Sequence, residues 1–399
     1  MSVHKKLVSF VKYNKVFLCL YRFAGNCVIA FFKAFLKSNS KKILFMSFGG
    51  QKYDDSPKAL YEVIKDDPFF CDYELIWAFS FPEKFLEVGS RKVKVDTLEF
   101  YKTALTAGIW INNSSVTRGL NLKRRETFEL NTWHGTPLKK MGGDIQFNHS
   151  YSYRSKRVGT TVYCSQSEYD REIFTRLFGT DKTHILISDL PRNDSLLKYK
   201  NSDLAEIRVK LGIPIEKKVI LYAPTFREYD RTGLNSCYIN PPIDLRKWKS
   251  VLGDEYVMLF RAHYEVVNVL GIKNDGFCFD VSDYPYLNDL MAVSDLLISD
   301  YSSIYFDYSI TEKPMFNFSY DLETYKEKRG LYLDLSEDLP CDVNHTEDTL
   351  LKEILGHCAT DYCARTREFK ARFCPNAGKA VETVLGVLRE YLSSRDKSL

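Results

Sequence analysis

Residues 296–308 read LLISDYSSIYFDY, and the order of side chains within them sets the fold class. Leu296–Ile298 is a short apolar run of strand type, Asp300-Tyr301-Ser302-Ser303 breaks it, and a helical pattern follows. A buried strand that passes directly into a helix is the repeating unit of a parallel sheet covered on both faces. The backbone N–H groups of Ser302, Ser303 and Ile304 have no partner inside such a helix and sit at the positive end of its dipole. That is the chemistry of a phosphate cradle. Simple capping by Asp300 or Ser302 is the structural alternative, and the two are compatible. The stretch contains neither G-x-G-x-x-G nor a P-loop lysine, which argues against dinucleotide-binding and ATPase readings.

The same alternation runs outward from this point. Val219–Tyr222, Val257–Arg261, Cys278–Asp280 and Met315–Phe318 complete one series of candidate strands. An earlier series comprises Ile43–Phe48, Tyr73–Phe79, Trp110–Asn113, Phe128–Trp133, Thr160–Cys164 and His184–Ile187. Helical stretches separate them, as at Ser56–Lys65, where Ser56 is placed to cap and Pro57 occupies the first turn. Two such series predict an α/β chain of two doubly wound Rossmann-like domains facing a cleft, with ligands beyond the C-terminal strand ends. The reading divides the chain into a basic, aromatic helix at 1–41, domains at 42–200 and 201–376, and a terminal helix at 377–399 crossing back to the first domain.

Charge is distributed unevenly. Residues 1–53 carry ten Lys or Arg and no Asp or Glu, so a net charge of +4 leaves −6 for the remainder. An acidic body argues against nucleic acid as a partner. The ten cysteines form no C-x-x-C pair and read as reduced thiols of a cytosolic protein, and no cleavable signal peptide is evident. Val16–Leu36, VFLCLYRFAGNCVIAFFKAFL, is apolar but interrupted by Arg22, Asn26 and Lys33. Central charges penalise a membrane span, whereas a helix lying in the interface tolerates charges on its solvent side. The expectation is an amphipathic helix on the membrane surface; a span, or packing on the body or a second copy, are the alternatives.

Three clusters carry candidate chemistry. Asn131–Gly142, NTWHGTPLKKMG, follows a strand and places His134 on a loop at its end, where a neutral imidazole can accept a proton. Lys139 and Lys140 are candidates to hold phosphate, and Asn112 on the preceding strand joins that side. A histidine tied within a tight turn is the plain alternative. In Phe260–Tyr264, Arg261 and His263 share one side of an extended segment and suit a diphosphate whose charge grows as a nucleotide departs. The third cluster is the serine turn, with Asp300 before it and Asp307 in the following helix. Thr225 and Arg227 in YAPTFR, and Glu323 and Arg329 in YDLETYKEKRGLYLD, are supporting candidates, the arginines for phosphate and Glu323 for ribose hydroxyls. No Asp-x-Asp motif stands at a strand end, so no tightly bound metal is expected, with free Mg²⁺ at most a stimulant.

WHGTPLKK, YAPTFR, RAH, SDYSSIYFDY, KPMFNF, YDLETY and RGLYLD occur in this order. The set resembles the CDP-glycerol glycerophosphotransferase family of wall teichoic acid and capsule enzymes, from about Lys42 to Val387. The resemblance implies a two-domain, glycosyltransferase-B-type fold with an acceptor-side first domain and a donor-binding second domain. It implies transfer of glycerol phosphate, or ribitol phosphate, from CDP-glycerol or CDP-ribitol to a lipid-linked glycan acceptor, with release of CMP. His134 is then the base, His263 and Arg261 stabilise the diphosphate, and Ser302 and Ser303 bind phosphate. Arg227, Thr225, Asp300, Asp307, Glu323 and Arg329 are carried over to the donor side. The implied location is peripheral, at the cytoplasmic face of the cell membrane, with room for a homo-oligomer. Two departures stand out: Leu339-Pro340-Cys341-Asp342 where a Pro-Gly-Pro segment is usual, and Asn376-Ala377-Gly378-Lys379 in place of Asp-Gly-Lys/Arg. A nucleotide-sugar glycosyltransferase of the same fold and a non-catalytic membrane scaffold are the rival readings.

Overall fold

A computed structural model of the chain describes residues 14–145, 158–227, 241–262, 275–356 and 361–396. The chain forms two compact units, Met1–His134 with His149–Arg192 and Lys379–Leu399, and Gly135–Asn148 with Asn193–Gly378.

The first unit holds strands β1 (Asn39–Met46), β2 (Glu74–Phe79), β3 (Arg91–Lys94), β4 (Ala107–Asn112), β5 (Phe128–Asn131), β6 (Thr161–Ser165) and β7 (Ile185–Ile187). The second holds β8 (Lys218–Tyr222), β9 (Tyr256–Phe260), β10 (Cys278–Asp280), β11 (Leu296–Ser299), β12 (Met315–Phe318) and β13 (Val343–Asn344). All pairings are parallel, in the orders β3-β2-β1-β4-β5-β6-β7 and β10-β9-β8-β11-β12-β13. In each sheet the first strand pairs with the fourth, β1 with β4 and β8 with β11, so each has the doubly wound order with its switch point there. Helices α1 (Lys15–Phe35), α2 (Asp55–Ile64), α3 (Leu98–Thr106) and α4 (Glu168–Phe178) belong to the first unit. The second contains α5 (Asn201–Leu211), α6 (Leu245–Leu252), α7 (Leu287–Val293), α8 (Ile304–Ser309), α9 (Leu322–Lys328), α10 (Leu335–Asp338), α11 (Glu347–Gly356) and α12 (Tyr362–Phe373). The last helix, α13 (Ala380–Asp396), belongs to the first.

Strand alternation builds the two layers of the first unit. Ile43, Phe45 and Trp77 pack with Leu60 and Tyr61 of α2 and with Val384, Leu388 and Leu392 of α13. Leu44, Met46 and Trp110 face the other way, onto Phe100 and Ala104 of α3 and Ile29 of α1. Each of these side chains adds about 1.5–3 kcal/mol of burial, which fixes strand register before any site residue is considered.

Two strands escaped the sequence reading. In β3, RKVK, only Val93 is buried, and charged side chains are what a sheet edge carries. β13 is a two-residue edge. His184, read as strand, lies in a short 3₁₀ turn before β7. Ser56 does not cap: α2 begins at Asp55, and the Ser56 hydroxyl instead accepts from Arg192 N at 3.3 Å.

Helix α1 departs from the expected orientation. Asn14 caps it, its Oδ1 accepting from Val16 N and Phe17 N. Leu18, Arg22, Gly25, Ile29, Phe32 and Leu36 recur at helical spacing and form the covered side. Gly25 permits the close approach, since a Cβ there would lie 2.7 Å from Leu120 Cδ2. Asn26 Oδ1 accepts from Asn121 N at 2.8 Å, and Lys33 Nζ donates to the carbonyls of Asn121 (2.6 Å) and Lys123 (2.8 Å). The polar interruptions therefore face the protein, while Val16, Leu20, Phe23, Val28, Phe31 and Phe35 are exposed, Phe23 by 74%. By length and composition Val16–Phe35 is also sufficient to cross a membrane.

Candidate active site

Three loops meet at the switch point of the first sheet. After β1, Phe48 N donates to Asn113 Oδ1 at 2.8 Å, and Gly49 N to Ser114 Oγ at 3.2 Å. After β5, Asn131 Nδ2 donates to Ser114 O at 2.8 Å and Asn131 Oδ1 accepts from Trp133 N at 3.0 Å. This holds Trp133 at φ 53°, an uncommon conformation for a non-glycine residue. The turn delivers His134 with its Nδ1 2.7 Å from the Asn113 carbonyl oxygen. A carbonyl only accepts, so Nδ1 carries the proton and Nε2 of the neutral ring holds the free lone pair. The imidazole stacks on Trp133, centroids 4.3 Å apart, and Trp133 rests on Phe174 and Phe178 of α4.

The electrostatics favour that neutral ring. Desolvation lowers the His134 pKa and the Arg192 cation acts in the same direction; the Asn113 carbonyl and Asp55 oppose them, and the net shift is downward from 6.5. Arg192 Nη1 and Asp55 Oδ2 are paired at 2.7 Å with little exposure on either side chain. His134 itself remains exposed at its surface, so proton exchange with solvent or substrate is open.

At the second switch point Asp300, the first residue after β11, accepts on one oxygen from Thr225 N (2.8 Å) and Tyr301 N (2.7 Å). Its other oxygen meets Arg227 Nη1 at 2.9 Å. Arg227 also grips Asp321 through Nε (2.7 Å) and Nη2 (2.8 Å), and its guanidinium lies over the rings of Tyr301, Tyr320 and Tyr325. Burial disfavours the Arg227 charge, Asp300 and Asp321 favour it, and the net pKa is raised. Ser302 and Ser303 follow, both only half-buried, with Ser302 Oγ accepting from Ile304 N at 3.2 Å. Thr225 Oγ1 is buried without a partner. Arg261, after β9, donates through Nη1 to the carbonyls of Val281 (3.1 Å) and Tyr284 (2.6 Å), acceptors that leave its charge in place.

Within the second unit the segment after His134 is clasped by the loop after α9. Lys139 pairs with Leu331 in an antiparallel bridge; Lys140 N donates to Gly330 O at 3.1 Å and Tyr332 N to Leu138 O at 2.9 Å. The Tyr332 hydroxyl donates to Asp144 at 2.5 Å, and Arg329 donates to the Lys140 carbonyl. The motifs HGTPLKK and RGLYLD thus form one structure.

Residues 28–388 match the family model described as CDP-Glycerol:Poly(glycerophosphate) glycerophosphotransferase. The chain belongs to this family. It is 36% identical over 363 residues to a teichoic acid poly(glycerol phosphate) polymerase of Staphylococcus epidermidis, covering 86% of this chain and 50% of that protein. The chain therefore spans half the length of that relative. A teichoic acid glycerol-phosphate transferase of Staphylococcus aureus is 33% identical over 352 residues, 84% of this chain and 89% of its own. A solved structure of a His→Ala variant of the wall teichoic acid polymerase TagF superposes with a TM-score of 0.83 at 32% identity, over 99% of this chain and 100% of that one. A His→Asn variant of TagF with CDPG matches with a TM-score of 0.81 at 31% identity, over 99% and 100%. The two-domain parallel α/β architecture expected of this glycerophosphotransferase family is what the two sheets show.

Several residues expected to bind ligand in this family member also make contacts within the fold, whereas Glu323 stays largely exposed. Arg227 is 4% exposed and held by two carboxylates. Asp300 acts as a backbone clamp. Asp307 is buried on α8 and accepts from Asn193 Nδ2 at 2.7 Å. Asn112 is fully buried, its amide donating to Glu129 at 3.0 Å. Glu323 is 89% exposed on its side chain, 3.9 Å from Lys326. His263 lies outside the described residues. Asn113, Trp133, Asp55 and Arg192 were missed; the adjacent pair Asn112-Asn113 at a strand end was the one available signal.

Proposed function

We propose that the chain transfers glycerol phosphate from CDP-glycerol to a hydroxyl of a membrane-bound teichoic acid acceptor and releases CMP. The acceptor hydroxyl passes its proton to His134 Nε2, its oxygen forms a bond to the phosphorus bearing glycerol, and the bond from that phosphorus to the CMP oxygen breaks. Ser302, Ser303, Arg261 and His263 hold the charge that grows on CMP, so positioning and electrostatics dominate. The observation that carries this reading is the Nδ1 bond to the Asn113 carbonyl, which fixes the tautomer a general base requires. The family match favours this donor chemistry over nucleotide-sugar transfer. The test is CMP release from CDP-glycerol with a lipid-linked acceptor. His134→Ala near full turnover would refute the base assignment, and consumption of a UDP-hexose in its place would refute the donor.

The same proposal places α1 on the membrane surface, as a peripheral anchor at the cytoplasmic face. Six large exposed apolar side chains on one stripe, each worth roughly 1 kcal/mol on partial burial, support an interfacial helix. A spanning helix would have to withdraw Asn26 and Lys33 from their partners. Phe23→Glu/Phe31→Glu should move the protein from the membrane fraction to the soluble one; unchanged fractionation would sink the anchor.

A further inference from the structure

Alongside α1 the first unit has an open cavity of about 350 Å³. Lys33, Lys123, Arg124, Arg125 and Glu126 supply its charged lining, and Leu120 and Val158 its apolar part. Glu129 pairs with Lys123 at 3.1 Å, so four cations stand against two carboxylates, an excess of two positive charges. The cations differ in what holds them. Arg124 is tied to the carbonyls of Leu105, Lys33 and Leu36, which makes it a rigid corner between α1 and the loop beneath. Lys33 uses two of its three N–H groups on carbonyls and, among the described residues, makes no ion pair with a carboxylate, leaving one donor. Burial, then Arg124, lowers its pKa, and Glu126 offsets this only in part. Arg125 is exposed, and among the described residues its guanidinium makes no hydrogen bond or ion pair.

We propose that this cavity binds the phosphate and glycerol backbone of an anionic glycerophospholipid while the outer stripe of α1 rests among the acyl chains. The inference rests on the membrane-surface reading above and deepens it. A helix lying in the interface inserts its apolar face only about 5–10 Å past the headgroups. Its opposite, covered side then lies near the level of lipid phosphates, and that is where Lys33 and the cavity are. The remaining Lys33 donor and the Arg125 guanidinium suit the phosphate, and the apolar lining suits the glycerol carbons and the start of a chain. A soluble phosphometabolite has no use for that apolar part or for the neighbouring stripe, which favours the lipid as occupant.

The test uses the full chain and lipids below their micelle concentration, so that it does not depend on membrane attachment. Dihexanoyl-phosphatidylglycerol should raise the melting temperature, and dihexanoyl-phosphatidylcholine, glycerol 3-phosphate and inorganic phosphate at equal concentration should give less than about half that shift. Arg125→Ala, which removes no side-chain hydrogen bond or ion pair among the described residues, should abolish the difference, whereas Lys37→Ala, a cation beyond the cavity, should retain it. An equal shift with inorganic phosphate, or an unchanged shift in Arg125→Ala, overturns the proposal. A second arm measures flotation with vesicles of phosphatidylcholine alone and with 30% phosphatidylglycerol. Arg125→Ala should lose roughly fivefold of the phosphatidylglycerol increment and none of the binding to neutral vesicles. Absence of vesicle binding together with a selective melting shift would refute the anchor and leave the lipid site standing; the reverse pattern would refute the site alone.

Discussion

Asp300→Asn tests whether the Asp300–Arg227–Asp321 cluster builds the site or binds substrate. The side chains of Asp300 and Arg227 are 2% and 5% exposed, so water cannot replace a lost partner. Asparagine keeps one oxygen for the amides of Thr225 and Tyr301, but its NH₂ would face Arg227 Nη1, donor against donor. Removing one member of a buried pair costs about 3–5 kcal/mol, and because Arg227 retains Asp321 the lower end, about 3 kcal/mol, is expected. For a unit of this size about 2–4 °C accompanies each kcal/mol, so the melting temperature should fall by roughly 6–12 °C. Thermal and urea unfolding would measure it, with the donor KM taken well below the transition. Arg227→Met should behave likewise, and the double variant should lose about 2 kcal/mol less than the two single losses combined. A phosphate-binding arginine predicts the opposite pattern: melting preserved and KM for CDP-glycerol raised. If Asp300→Asn melts within about 2 °C of the parent, the structural argument fails.

Four further outcomes follow from the geometry. His134→Asn should lower kcat by roughly 10²–10⁴-fold with little change in unfolding. The parent should lose activity only as pH falls through a value below 6.5, because the shift is downward and the base is the deprotonated form. Asp55→Asn removes the carboxylate that raises the His134 pKa and leaves Arg192, which lowers it, so the acidic limb should move to still lower pH; a shift upward would contradict the arrangement. Gly330→Ala places a Cβ 2.7 Å from Lys140 Cδ at φ 77° and should cost about 1–2 kcal/mol, and Lys140→Ala in the same background should recover only the steric part, measured by urea unfolding.

What could be read beforehand follows physical lines. Central strands such as Ile43–Phe45 and Leu296–Ile298 are apolar on both faces and announce themselves, whereas β3 shows one buried valine among charges. The position of His134 on a loop just beyond a strand end was legible from Asn131–Gly142, whereas the Asn113 carbonyl that holds its ring was not. For Arg227 and Asp300 the sequence left two partners open, because a charged residue in a loop at a strand end looks the same whether it meets phosphate or its own neighbour. Only the coordinates show that each is the other's partner. For α1 the residue types were right and their direction was not: Lys33 and Asn26 find backbone partners on the loop below, and periodicity alone carries no information about that loop.

The loops at the two switch points obey a common rule. At a switch point the connections after the first and fourth strands leave toward opposite faces, so the first backbone N–H groups beyond the strand ends lose their sheet partners. In the first unit Asn113, the residue after β4, accepts through Oδ1 from Phe48 N in the loop after β1, at 2.8 Å. In the second, Asp300, the residue after β11, accepts through Oδ1 from Thr225 N in the loop after β8, also at 2.8 Å. A short side chain with an oxygen fills the same gap in both sheets, and the choice of amide or carboxylate decides what is built above it. The neutral Asn113 needs no counter-ion, which leaves its carbonyl side free for the His134 imidazole. The anionic Asp300 cannot be buried alone, so Arg227 and then Asp321 must follow it inside. The charged residues beneath thus hold the strand ends together, while Ser302 and Ser303 stay half-buried above them.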